Sequence, residues 1–122
     1  MNSGQKDIVI TAAVRTAIGT FNGSLKNLQG HDLGSTVVKE VMKKLKLNSE
    51  EIDELIMGQV LTSAAGQNPA RQAAIQAGLA KEKTAYVINQ VCGSGLRAVA
   101  AGYQAIMSND ANIVISGGQE SM

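Results

Sequence analysis

Four short apolar runs, at residues 8–13, 55–61, 86–91 and 113–116, punctuate an otherwise amphipathic chain. Each is rich in Val, Ile and Leu and nearly free of charge, the pattern of strands buried on both faces. Between them the apolar period changes to that of a helix. Leu33, Val37, Val38, Val41, Met42 and Leu45 form one stripe, with Lys39, Glu40, Lys43 and Lys44 mostly on the other side. Asp32 is the expected N-cap of that helix, and its lysines sit towards the end where the helix dipole favours cations. Asn48-Ser49-Glu50-Glu51 predicts a short helical turn with an acid in the capping-box place. After a small-residue loop at 62–67, Asn68-Pro69 predicts a helix that starts with Pro, carries a small face of Ala70, Ala73, Ala74 and Ala77, and stops at Gly78. In the last helix Leu96, Val99, Ala100, Tyr103, Ile106 and Met107 share one face. Small residues at Ala98, Ala101, Gly102 and Ala105 fill most of the rest, which predicts burial on several sides. Asn109 to Asn112 break it.

The elements alternate as βαβαβαβ, which predicts an α/β fold with a mainly parallel sheet and helices on its faces. Ligands in such sheets bind beyond the carboxyl ends of the strands. Arg15, Cys92 and Gly117-Gly118 each follow a predicted strand and fall on that rim.

A chain of 122 residues suits one domain. Aromatics make up 2% with no Trp, so the core must come from Val, Ile, Leu, Met and Ala. The net charge of +1 argues against an electrostatic nucleic-acid surface. No run approaches a membrane span, and the polar start from Met1 to Lys6 lacks the apolar centre of a signal peptide. The single cysteine excludes an internal disulfide and points to a reducing compartment. Gly93-Ser94-Gly95 lacks the third glycine of a dinucleotide fingerprint, and there is no P-loop. His31, the only histidine, precedes a helix without a second ligand nearby, which favours a surface or helix-entry role over metal binding or catalysis. Arg15 after a central strand suits an anion or a carboxylate partner, and a structural ion pair is the commoner use.

Cys92 stands where a strand turns into a helix, between Tyr86-Val87-Ile88 and the stripe that starts at Leu96. Two readings fit. In one, the helix start favours a thiolate and Cys92 is a nucleophile on a strand-to-helix elbow, with Gly93 and Gly95 letting a ligand approach the backbone. In the other, Cys92 is a buried structural thiol.

The stretch Asn89-Gln90-Val91-Cys92-Gly93-Ser94-Gly95-Leu96-Arg97-Ala98-Val99 closely resembles the acyl-enzyme motif of thiolases. Val14-Arg15-Thr16-Ala17-Ile18-Gly19, Asp32-Leu33-Gly34, Gly66-Gln67-Asn68-Pro69-Ala70-Arg71-Gln72-Ala73 and Gly117-Gly118-Gln119-Glu120-Ser121-Met122 agree in order. The likeness covers nearly the whole chain and is greatest to the acetyl-CoA C-acetyltransferase (acetoacetyl-CoA thiolase) branch. It implies the layered thiolase fold, with the chain as the first part of an N-terminal half-domain. The lid, the last helix and strand, and the C-terminal half would then lie outside residues 1–122. It implies that Cys92 carries the acetyl group as a thioester, with its backbone N–H as an oxyanion donor. The reaction would be ping-pong, condensing two acetyl-CoA to acetoacetyl-CoA and CoA or the reverse. The CoA thioester would be substrate, and no cofactor or metal is called for. The activating histidine and second cysteine of the family lie in its C-terminal half, so the 122-residue chain alone is expected to be inactive. The resemblance further implies a cytoplasmic homodimer or homotetramer formed through the strand at 86–91, with no nucleic-acid or membrane partner. Gln119 stands where Met is more usual, and Ala85 where Pro is common. Other readings are a broader 3-ketoacyl-CoA thiolase of fatty-acid degradation, a β-ketoacyl synthase on the same fold, or a non-catalytic oligomerisation module.

Overall fold

The computed structural model describes residues 6–122. Its elements are α1 (Gly30–Leu45), a 3₁₀ turn (Ser49–Glu51), β1 (Glu54–Gly58), α2 (Pro69–Ala77), β2 (Thr84–Ile88), α3 (Ser94–Met107) and β3 (Val114–Gly118). The three strands pair in parallel in the order β2-β1-β3, with Gly58 opposite both Ile88 and Gly118. The chain therefore leaves β1 to one side and returns across it to the other. Right-handed crossovers then require α2 and α3 to lie on opposite faces of the sheet.

Side chains alternate along β1 accordingly. Leu55 and Met57 join Val38, Ile52, Ala70, Ala73, Ala74, Ala77, Leu79 and Ala85 in one buried cluster under α1 and α2. Ile56, equally buried, lies outside that cluster. The alanine face predicted for α2 is the face that packs, and Asn68 and Gly78 bound the helix as expected, Gly78 at φ 89°. The 3₁₀ turn has its capping acid in place, since the Asn48 N–H donates to Glu51 Oε2 at 2.7 Å.

Four expectations need correction. Residues 8–13 do not form a strand among the described residues. They have no backbone ladder, and Val9 and Ile10 are 70% and 78% exposed. A cavity of about 1490 Å³ separates them from β3, lined also by Val37 and Val41 of α1 and by Val99 and Tyr103 of α3. The βαβαβαβ order is thus realised as a three-stranded sheet, because a strand exists only where a neighbour supplies its hydrogen bonds. Second, Asp32 is not the N-cap of α1. Gln29 is, and Asp32 is the third helical residue, accepting the Gln29 N–H at 2.8 Å. Third, the large apolar residues of α3 do not all face the sheet. Leu96 is 78% exposed and Tyr103 and Met107 are half-exposed, whereas Ser94, Ala98 and Gly102 are buried. The helix lies too close for anything larger there, since a Cβ on Gly102 would meet Ser116 Oγ at 2.5 Å and Val114 Cγ1 at 3.2 Å. Fourth, β2 ends at Ile88, and residues 89–91 belong to the bend that follows.

Candidate active site

Close backbone packing sets the position of the rim. A Cβ on Gly58 would lie 2.4 Å from the carbonyl carbon of Ser94 and 2.6 Å from the Gly95 nitrogen. One built on Gly118 would lie 3.4 Å from Gly95 Cα. Glycines at the carboxyl ends of β1 and β3 thus let the start of α3 rest directly on the sheet, at the point where the strand order reverses. The crevice in which open parallel sheets usually bind their ligands forms at such a point.

Cys92 sits two residues before α3, on the bend between β2 and the helix, and is exposed. The thiol does not line the cavity between residues 8–13 and β3. No side chain among the described residues buries the thiol. The bend is held by a compact set of hydrogen bonds. Ser94 Oγ accepts the Gln90 N–H at 2.8 Å and donates to the Val91 carbonyl at 2.6 Å. Asn89 Oδ1 accepts the Val91 N–H at 2.9 Å. The Gly93 N–H donates to the Gln90 carbonyl at 3.0 Å, and the Ser94 N–H to the Val91 carbonyl at 3.1 Å. Gln90 and Cys92 also meet in an isolated bridge, and of the N–H groups from Gln90 to Ser94 the Cys92 one alone has no acceptor of good geometry among the described residues. Val91 takes φ 50°, a left-handed conformation that a β-branched residue adopts only under constraint. One residue therefore presents both a thiol and a free N–H, beside the unpaired amides of a helix start.

Most of the other segments singled out in the sequence hold the fold together, and Arg15 does not. Arg15 is exposed and donates only to the Thr16 carbonyl, at 2.9 Å, with no carboxylate partner among the described residues. His31 Nδ1 lies 2.9 Å from Gln76 Oε1, and Gln76 Nε2 donates to Asp32 Oδ1 at 2.9 Å, so the histidine ties α1 to α2 at a helix entry. The hydrogen bonds from Gln76 and the Gln29 amide hold the Asp32 carboxyl below its ordinary value. Arg71 forks onto the carbonyls of Lys83 and Lys81 at 2.7 and 2.8 Å. Asn68 Nδ2 reaches the Ala85 carbonyl at 2.9 Å, and Gln72 Nε2 the carbonyls of Ala65 and Gln67.

Sequence reasoning missed the role of Glu120. Its carboxylate accepts the N–H groups of Val60 and Leu61, both at 2.9 Å, and so fastens the turn after β1 to the end of β3. Buried Gln119 donates to Gln59 Oε1 at 2.8 Å, and Gln59 donates to the Leu61 carbonyl at 2.8 Å. Among the described residues the Gln119 Oε1 has no partner. An acid just past Gly117-Gly118 was the only signal for this clamp in the sequence. The raised carboxyl lies at the opposite end of the sheet: burial first, then the charge of Asp110, pushes Glu54 up. No group of three His, Cys, Asp or Glu side chains arranged for a metal occurs among the described residues.

Residues 8–122 match the family model described as Thiolase, N-terminal domain. The chain belongs to the thiolase family. It is 54% identical over 115 residues to the acetyl-CoA acetyltransferase of Rhizobium meliloti, covering 94% of this chain and 29% of that protein. It is 48% identical to the cytosolic acetyl-CoA acetyltransferase of Rattus norvegicus over its full length, and spans 31% of that relative. Among solved structures, the Bacillus anthracis acetyl-CoA acetyltransferase superposes with a TM-score of 0.86 at 38% identity, over 90% of this chain and 28% of that one. The Acat5 thiolase of Ascaris suum, solved with coenzyme A, gives 0.84 at 41% identity, over 86% and 28%. The chain thus spans under a third of these relatives, and the α/β fold with a parallel sheet is the thiolase fold. No helix among the described residues is long and apolar enough to cross a membrane.

Proposed function

We propose that Cys92 is the acyl-carrying nucleophile of an acetyl-CoA C-acetyltransferase. The observation that carries this reading is the pairing, at one exposed residue, of the thiol and the one N–H of the bend without a well-placed acceptor among the described residues. The Cys92 sulfur attacks the thioester carbonyl of acetyl-CoA, the carbonyl oxygen becomes an oxyanion, and the Cys92 N–H donates to it. CoA leaves as its thiolate. A second acetyl-CoA, deprotonated at its methyl carbon, then takes the acetyl group and gives acetoacetyl-CoA. The reverse direction uses the same acetyl-Cys92. The names of the relatives support this substrate over the longer acyl chains of a degradative 3-ketoacyl-CoA thiolase or the decarboxylating condensation of a β-ketoacyl synthase.

In this reading residues 1–122 supply the first part of the N-terminal half-domain. The groove between β3 and residues 8–13 and the exposed apolar face of α3 are the surfaces that the remainder of a thiolase covers. The base and the second cysteine come from that remainder, so residues 1–122 alone have no turnover. The outer edge of β2 carries the contact between copies of the protein, over Thr84–Ile88. The cytosolic relative supports a cytoplasmic location. The test is turnover of acetoacetyl-CoA by the complete polypeptide that carries this chain. Cys92→Ala abolishes it, and retained turnover refutes the reading.

A further inference from the structure

We infer that Ser94 is a positioning residue for the oxyanion donor, acting through the backbone on both sides of Cys92. The inference rests on the reading of Cys92 as acyl carrier and names what aims its N–H. Ser94 is 4% exposed, so its hydroxyl is out of reach of solvent and its two bonds are its only partners among the described residues. Its oxygen accepts a hydrogen bond from the Gln90 N–H, before the thiol in the chain, and its hydroxyl donates one to the Val91 carbonyl, the carbonyl of the peptide whose nitrogen is Cys92 N. Holding that carbonyl fixes the plane of the Val91–Cys92 peptide, and with it the direction of the Cys92 N–H, which lies in that plane antiparallel to the carbonyl. The constraint is needed because Val91 at φ 50° would relax towards the extended region if released, rotating that peptide. Asn89 holds the other end of Val91 through its N–H. Ser94 is itself fixed, because Gly58 lies beneath its backbone. A preorganised donor of this kind works only while its direction is held by its surroundings.

Acylation and alkylation of the same sulfur separate this role from a general structural one. With p-nitrophenyl acetate, the Cys92 sulfur bonds to the acetyl carbon and the carbon–oxygen bond to the nitrophenyl group breaks. Nitrophenolate leaves with the electron pair, and the thiol proton goes to solvent. That path passes through an oxyanion. Displacement of iodide from iodoacetamide does not. The rate of each modification of Cys92 is followed by mass spectrometry of the tryptic peptide 84–97. Ser94→Ala is expected to slow acetylation roughly tenfold, part of the hundredfold or more that loss of an oxyanion donor costs, while alkylation stays within about twofold. Unchanged acetylation overturns the inference and leaves the role of Cys92 intact. Wild-type protein that is acetylated at Cys92 no faster than at other thiols of free peptides brings down both. If Ser94→Ala slows both reactions equally through loss of fold, the exposed Asn89→Ala decides. A selective fall in acetylation upholds the inference, and an equal or absent effect overturns it.

Discussion

Replacing Gly58 by Ala tests the claim that backbone contact between the sheet and α3 sets the site. The added Cβ would stand 2.4 Å from Ser94 C, 2.6 Å from Gly95 N and 2.6 Å from Ser94 O. All three are backbone atoms, so no side chain can rotate out of the way. Either α3 rises from the sheet or β1 bends, and β1 is the central strand, hydrogen-bonded on both edges. Overpacking of this kind costs about 1–3 kcal/mol where side chains can yield, so a backbone clash belongs at roughly 3 kcal/mol. For a domain of this size that lowers Tm by roughly 10 °C. Gly117→Ala is the control. It lies one residue from the end of β3, yet its added Cβ would meet only Met57, at 3.7 Å, an ordinary contact. Its Tm is expected to stay within about 2 °C of wild type, since such a change also narrows the unfolded ensemble. Thermal denaturation followed by circular dichroism measures both. Gly58→Ala melting within about 3 °C of Gly117→Ala would refute the idea that α3 rests on the strand end.

Asp53 accepts the N–H groups of Asn112 and Ile113 at 2.7 and 3.2 Å and pairs with Lys83, and these bonds, the Asn112 one foremost, hold its carboxyl below the ordinary value. A depressed carboxyl contributes stability that is fully present above its unfolded pKa of about 3.9 and is lost as pH falls through the lower folded value. Asp53→Asn is therefore expected to cost about 1–2 kcal/mol in urea denaturation at pH 7, with the gap to wild type closing below about pH 4. Arg71→Lys keeps the charge but loses the fork onto Lys81 and Lys83, and should cost about 1–2 kcal/mol in the same assay.

Features decided within a few residues were legible in the sequence. Pro69 and Gly78 bound α2, Glu51 caps the 3₁₀ turn, and the lysines of α1 lie at its last turn, because each answers to its immediate neighbours. Features that depend on a partner far along the chain were not. Residues 8–13 have the composition of a strand, but pairing depends on what lies beside them, and a groove lies there. Asp32 has the chemistry of an N-cap, yet helix α1 gains a turn by starting at Gln29 and using that carboxylate from inside. The large residues of α3 suggested its buried face, whereas Ala98 and Gly102 occupy it because the sheet comes so close. At the site, the elbow around Cys92 was visible from a strand pattern meeting a helix pattern. The Ser94 hydrogen bonds and the left-handed Val91 were not, since composition carries no sign of φ.

Acyl transfer to Cys92 is tested most directly by incubating the protein with acetyl-CoA, quenching in acid and mapping the tryptic peptides by mass spectrometry. One acetyl group on the peptide 84–97, absent in Cys92→Ala and discharged by added CoA, is the predicted result. An unmodified peptide, or an acetyl group that persists in Cys92→Ala, would contradict it.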